Sequence, residues 1–120
     1  MNTSKLECSF DGVVAIIRLL DAEMLSGAFC ADTQGLLLDA ARKQPSAHIV
    51  VDLTSLLFVS SEGLGALLTL RSVLQADSRK LCLAKVSPLV AEVFEMTQLD
   101  RLFPIETDVE AAKQRLATAG

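Results

Sequence analysis

Few side chains in this 120-residue sequence could do chemistry, and the most suggestive are two adjacent hydroxyls, Ser60 and Ser61, followed by Glu62-Gly63-Leu64-Gly65. Serine favours turns and helix N-caps, and an acidic residue directly after it suits a first helical turn. Backbone N–H groups at a helix start have no intrahelical partner, so such a turn accommodates a capping oxygen or a phosphate. Capping alone would account for both serines. Nucleophilic catalysis is poorly supported, because no base or orienting group accompanies the hydroxyls and the run is not a G-x-S-x-G elbow. Gly63 and Gly65 are assigned to close backbone packing at the turn, since neither a Walker nor a dinucleotide fingerprint is present. His48, the one histidine, has no partner at a telling spacing and reads as structural or superficial. Cys8, Cys30 and Cys82 are too dispersed for a metal cluster and read as core or half-buried thiols. Arg71, Arg79 and Lys80 are read as a solvated face, and Arg101 as exposed or ion-paired. No enzymatic activity, cofactor or metal is expected.

Stepping outward, the serines fall between a strand and a helix. Residues 49–54, Ile-Val-Val-Asp-Leu-Thr, are short, β-branched and almost continuously apolar, the pattern of a central strand covered on both faces. From Gly63 onward, Leu64, Leu67, Leu68, Leu70, Val73 and Leu74 recur at helical spacing. Before this stretch, residues 6–10 and 13–19 read as strands joined at Asp11-Gly12, a two-residue hairpin signal. Phe29, Leu36, Leu37, Ala40 and Ala41 give a helical face over about 26–43, weakened by Gly27 and Gly35. After it, residues 80–86 alternate as a strand, and Ser87-Pro88 opens a helix ending near Gln98, with Val90, Val93, Phe94 and Thr97 on its inner side. Residues 102–105 form a brief edge strand containing Pro104. A last helix runs from Asp108 to about Leu116, capped by Thr107 or Asp108, with Val109, Ala112 and Leu116 inward. The order implies an α/β fold: a mixed β-sheet of about five strands with about four helices packed against it.

Composition excludes several classes. The length suits one domain, 1–120, with its core at about 6–116. Hydrophobic residues make up 51% of the chain, yet no run approaches the roughly 18 residues of a membrane span, so no membrane partner is expected. The amino-terminal residues lack the apolar stretch of a secretory signal and the cysteines are few, which points to the cytoplasm. A net charge of -4, with neither Trp nor Tyr, disfavours nucleic acid as a partner.

Three fragments in this order carry a family resemblance: Phe58-Val59-Ser60-Ser61-Glu62-Gly63-Leu64-Gly65, then Lys80-Leu81-Cys82-Leu83 with Ser87-Pro88, then the run 93–103 from Val93-Phe94-Glu95 to Leu102-Phe103. Together the sequence resembles the STAS domain family, the anti-sigma factor antagonists, over about residues 6–116. The resemblance implies a regulatory interaction module that binds an anti-sigma factor or serine-protein kinase and is switched off by phosphorylation of one serine. It places the phosphoacceptor at Ser61, with Ser60 as second choice, and the partner surface at Ser60, Ser61, Glu62, Gly63, Thr69 and Ser72. The family's usual Asp before the acceptor is here Ser60, and its following hydroxyl is Glu62, which sets a negative charge beside an incoming phosphate. The competing functions are a phosphorylation-independent scaffold that assembles with itself or other STAS domains, and a small-ligand-binding domain of the same fold.

Overall fold

The computed structural model of the chain describes residues 5–118. It contains five strands, β1 (Leu6–Asp11), β2 (Val14–Leu19), β3 (His48–Asp52), β4 (Leu81–Ala84) and β5 (Ile105–Glu106), and four α-helices, α1 (Cys30–Lys43), α2 (Ser61–Ala76), α3 (Pro88–Met96) and α4 (Val109–Thr118). The strands form one sheet in the order β1-β2-β3-β4-β5. The β1–β2 pair is antiparallel and the other three pairs are parallel. Each parallel step is bridged by a helix, which is what parallel neighbours require. The expected mixed sheet with four helices is therefore the observed one, and β3 is its central strand.

The two faces of the sheet are covered unequally. Buried residues of α1, α2 and α3, among them Leu37, Leu67, Leu70 and Phe94, join Ile17, Ile49, Val51 and Leu83 in the larger core. Val14, Val50, Cys82 and Ala84 point the other way and meet Ala112 and Leu116 of α4. Alternation along β3 thus feeds both cores, which is why its sequence is almost continuously apolar. Phe94 and Phe103 close the α3 side edge to face, with ring centroids 5.8 Å apart.

Several boundaries differ from the sequence reading. The hairpin turn is Gly12-Val13 rather than Asp11-Gly12, because Asp11 pairs with Val14 and Gly12 takes the positive φ the turn demands. The first helix begins at Cys30 after a 3-10 turn, Gly27–Phe29, so Phe29 lies outside the α-helix and is exposed, as is Leu36. Residues 102–103 do not join the brief strand: Phe103 is buried, and Pro104 sits just before β5 with its carbonyl accepting Leu83 N–H. Thr97, read as inward, is exposed. Ser87 caps α3 by accepting Val90 N–H at 3.3 Å, and Asp108 caps α4 by accepting Ala111 N–H at 2.7 Å.

Arg79 is the largest correction. It does not lie on a solvated face but is only 6% exposed, with Nε donating to the Ala47 carbonyl at 2.6 Å and Nη2 to those of Ala41 and Gln44 at 2.9 and 2.8 Å. The guanidinium thereby satisfies carbonyls at the carboxyl end of α1 and in the loop leading to β3. Arg71 is also committed, Nε donating to the Leu102 carbonyl at 3.0 Å. His48 accepts Lys80 N–H on Nδ1 at 2.9 Å, a structural role. Cys30 and Cys82 are buried as expected, whereas Cys8 is exposed on β1.

Candidate functional site

Past Asp52 the chain leaves the sheet as an irregular segment, 53–60, and enters α2 at Ser61. That segment is pinned from the side by residues 22–25. The Ala22 carbonyl accepts the Leu57 and Phe58 amides at 3.0 and 3.3 Å, and the Leu25 carbonyl accepts Ser60 N–H at 2.9 Å. Leu25 and Val59 form an isolated parallel bridge. The amino end of α2 is thus held against a loop 35 residues earlier in the chain.

Ser60 is the N-cap. Its backbone is extended (φ −100°, ψ 175°), its carbonyl accepts Leu64 N–H at 2.9 Å, and its Oγ accepts Gly63 N–H at 3.2 Å. The same Oγ lies 3.4 Å from the Leu25 carbonyl, to which it can donate, and 3.7 Å from the buried Cys30 thiol. Ser61, the first residue of α2, is exposed, and its hydroxyl makes no hydrogen bond among the described residues. One serine of the pair is invested in the fold, and the other is presented.

Glu62, also exposed, carries a carboxyl held below its ordinary range first by its own backbone N–H and then by the Ser60 hydroxyl. Its charge is therefore present throughout the neutral range, beside Ser61. Gly63 is buried because α2 passes directly over Leu25: a methyl group there would collide with the Leu25 carbonyl and approach its Cβ to 2.9 Å. Gly65 differs from the sequence reading, since nothing lies within 4 Å of where its Cβ would be. Thr69 is half-buried and turns its hydroxyl back to the Gly65 carbonyl at 3.0 Å, while Ser72 is exposed. Ser61, Gly65 and Ser72 follow one another along the outer stripe of the helix.

Sequence reasoning missed two side chains of this surface. Leu57 and Phe58 are 51% and 50% exposed beside the turn. The sequence reading gave neither a place on this surface, and in the fold both backbone amides donate to the Ala22 carbonyl while the side chains stay exposed. No cluster of His, Cys, Asp or Glu able to hold a metal occurs among the described residues, nor is any described helix long and apolar enough to cross a membrane.

The likeness to known proteins spans this whole architecture. A candidate anti-sigma factor antagonist, BtrV of Bordetella bronchiseptica, is 30% identical over 111 residues, covering 83% of this chain and 96% of that one. An anti-sigma-factor antagonist (STAS) domain protein from Planctomyces limnophilus superposes with a TM-score of 0.83 at 19% identity, covering 96% of this chain and all of that one. The antagonist SpoIIAA in its unphosphorylated form gives 0.73 at 21% identity, covering 96% and 99% of the two chains. Its phosphorylated form, a Bacillus cell-fate determinant, gives 0.60 at 21% identity, covering 91% and 97%. The STAS domain family model matches residues 14–112, from the first residue of β2 into α4 and across the whole of the α2 turn. With β2 to β5, α1 to α3 and the serine turn all falling within that match, the chain belongs to the STAS domain family.

Proposed function

We propose that this chain is an anti-sigma factor antagonist that binds an anti-sigma factor or serine-protein kinase through the amino end of α2 and is released by phosphorylation of Ser61. The observation that carries this reading is the division of labour in the serine pair: Ser60 Oγ caps the helix, whereas Ser61 Oγ is exposed and makes no hydrogen bond among the described residues. In the transfer, Ser61 Oγ attacks the γ-phosphorus of ATP, the bond to the β-phosphate oxygen breaks, ADP leaves, and the serine proton passes to a base of the kinase. The phosphate would then lie at the start of α2, favoured by the helix dipole by about 0.3–1 kcal/mol and opposed by the Glu62 carboxylate. These terms are comparable, so the modification acts by setting charge and bulk against a docked partner and leaves the fold little changed. Exposed Leu57 and Phe58 supply the apolar part of the docking surface, and the open space over Gly65 lets a partner's backbone approach closely. SpoIIAA, whose structure exists in both phosphorylation states, supports such a switch by analogy.

The test is incubation with the cognate kinase and ATP followed by peptide mapping. Phosphate is expected on Ser61, absent in Ser61→Ala, and increased in Glu62→Ser. Phosphate on Ser60 alone would reject the assignment. A proven kinase partner that modifies neither serine would favour the scaffold. Ser72→Glu should weaken partner binding without altering the melting temperature, and unchanged affinity would move the surface elsewhere.

A further inference from the structure

A groove of 1140 Å³ runs between β1 and α1, on the face of the sheet that the larger core occupies. Its size is at or above the roughly 300–1,000 Å³ of small-molecule pockets, and the α2 turn is not part of its lining. Leu6, Met24, Leu36 and Ala40 supply its apolar part. At the end nearer the start of α1, the chain's own Lys5 ammonium lies 5.2 Å over the centre of the Phe29 ring and 3.9 Å from the Asp21 carboxylate. An aromatic face beside a carboxylate is a cation seat. Asp21, Glu23, Asp32 and Asp39 line the groove against Lys5 and Lys43, so carboxylates outnumber ammonium groups along it.

Thr33 adds an independent observation. It lies near the start of α1 and lines the groove together with Phe29. The residue is 98% buried, given its 2% exposure, yet its hydroxyl makes no hydrogen bond among the described residues. No described buried side-chain oxygen or nitrogen is both closed off and without a partner, so this hydroxyl opens to the groove. An unpartnered hydroxyl that opens to the same groove as the cation seat offers an acceptor to a polar head group.

We infer that the groove between β1 and α1 binds a cationic amphiphile, an alkylammonium-type molecule whose head displaces Lys5 from the Phe29–Asp21 seat and donates to Thr33 Oγ1, and whose apolar body lies along Met24, Leu36 and Ala40. Cys8, the exposed cysteine, lines the same groove, while Cys30 and Cys82 are buried, so the chain carries its own reporter. The full chain is alkylated with iodoacetamide in the presence of decylamine, decanol or decanoate below their aggregation concentrations, and the modified cysteines are counted by mass spectrometry. Decylamine should protect Cys8 saturably and at lower concentration than decanol, with decanoate the weakest. Thr33→Val should weaken that protection roughly three- to ten-fold, the worth of one hydrogen bond. Lys5→Met, which empties the seat, should strengthen it. Leu36→Gln, on an exposed wall, should weaken it even if Thr33→Val fails to fold. Protection by decanoate equal to that by decylamine, indifference to both Thr33→Val and Leu36→Gln, or labelling that spreads to Cys30 and Cys82 would overturn the inference, the last by showing unfolding rather than occupancy.

Discussion

Ser60 and Ser61 are neighbours with opposite physical roles, and substitutions separate them. Ser60→Ala removes the oxygen that accepts Gly63 N–H and the hydroxyl near the Leu25 carbonyl, and should cost about 0.5–2 kcal/mol by urea denaturation, the usual worth of an N-cap. Ser61→Ala, at an exposed first helical position with no hydroxyl partner among the described residues, should change stability by no more than about 0.5 kcal/mol. Equal losses for the two would show that the cap is shared. Glu62 adds a charge that persists because its own N–H and the Ser60 hydroxyl both favour the ionised form.

At the scale of the element, α2 contains two glycines whose substitution should have opposite consequences. Gly63 rides on Leu25, so Gly63→Ala forces two backbone segments apart and should destabilise by about 1–3 kcal/mol or more, as overpacking does. Gly65 faces open space within the helix, so Gly65→Ala should stabilise by about 0.5–1 kcal/mol through the lost flexibility of the unfolded chain. If a partner docks over this stripe, the same methyl group should weaken its binding, so that stability and affinity move in opposite directions. Denaturation midpoints paired with affinities for the cognate kinase decide this, and unchanged affinity for Gly65→Ala would remove that glycine from the docking surface. The end of α1 depends on a single distant side chain. Arg79→Met keeps most of the volume but takes this donor from the Ala41 and Ala47 carbonyls, while the Gln44 carbonyl keeps Ala47 N–H, and should cost about 2–4 kcal/mol in urea denaturation. A loss below about 0.5 kcal/mol would mean that water replaces the guanidinium readily.

For the whole molecule, two groups at opposite ends of β3 tie stability to pH with the same sign. Burial, then the Lys80 and Arg79 charges, hold the His48 imidazole below its ordinary 6.5. The folded state therefore prefers neutral His48, and this contribution is complete above that value and lost as pH falls below it. Asp52, 1% exposed, would be pushed up by burial, but hydrogen bonds from the Thr54 hydroxyl and amide and from Arg18 outweigh that and hold it below 3.8. Its contribution is present above 3.8 and disappears as pH falls through and below that value. The melting temperature should accordingly fall in two stages on acidification. His48→Asn, which keeps an acceptor for Lys80 N–H, should remove the first stage, and Asp52→Asn should flatten the second. A single transition unaffected by either change would contradict this. Across the sheet, α4 is tied to both edges by ion pairs, Lys113 with Asp11 at 2.6 Å and Arg115 with Glu106 at 2.7 Å. The Lys113 ammonium is pushed up to about 12, first by its hydrogen bonds to Asp11 and Glu110.

The sequence by itself determined the number and order of strands and helices, because periodicity, the Gly12 turn and the Ser87-Pro88 and Asp108 starts are encoded within a few residues of where they act. It also located the serine turn. It could not divide Ser60 from Ser61, or Gly63 from Gly65, since both divisions depend on Leu25, which is remote in sequence and touches the turn only after the chain has folded back. The same holds for Arg79, whose charge suggested water until three carbonyls of another connection surrounded it, and for Leu57 and Phe58, apolar residues whose amides donate to Ala22 while their side chains stay exposed. Local periodicity reports which residues share a face. Only the tertiary packing decides what that face meets, and so which hydroxyl is spent on the fold and which is left exposed.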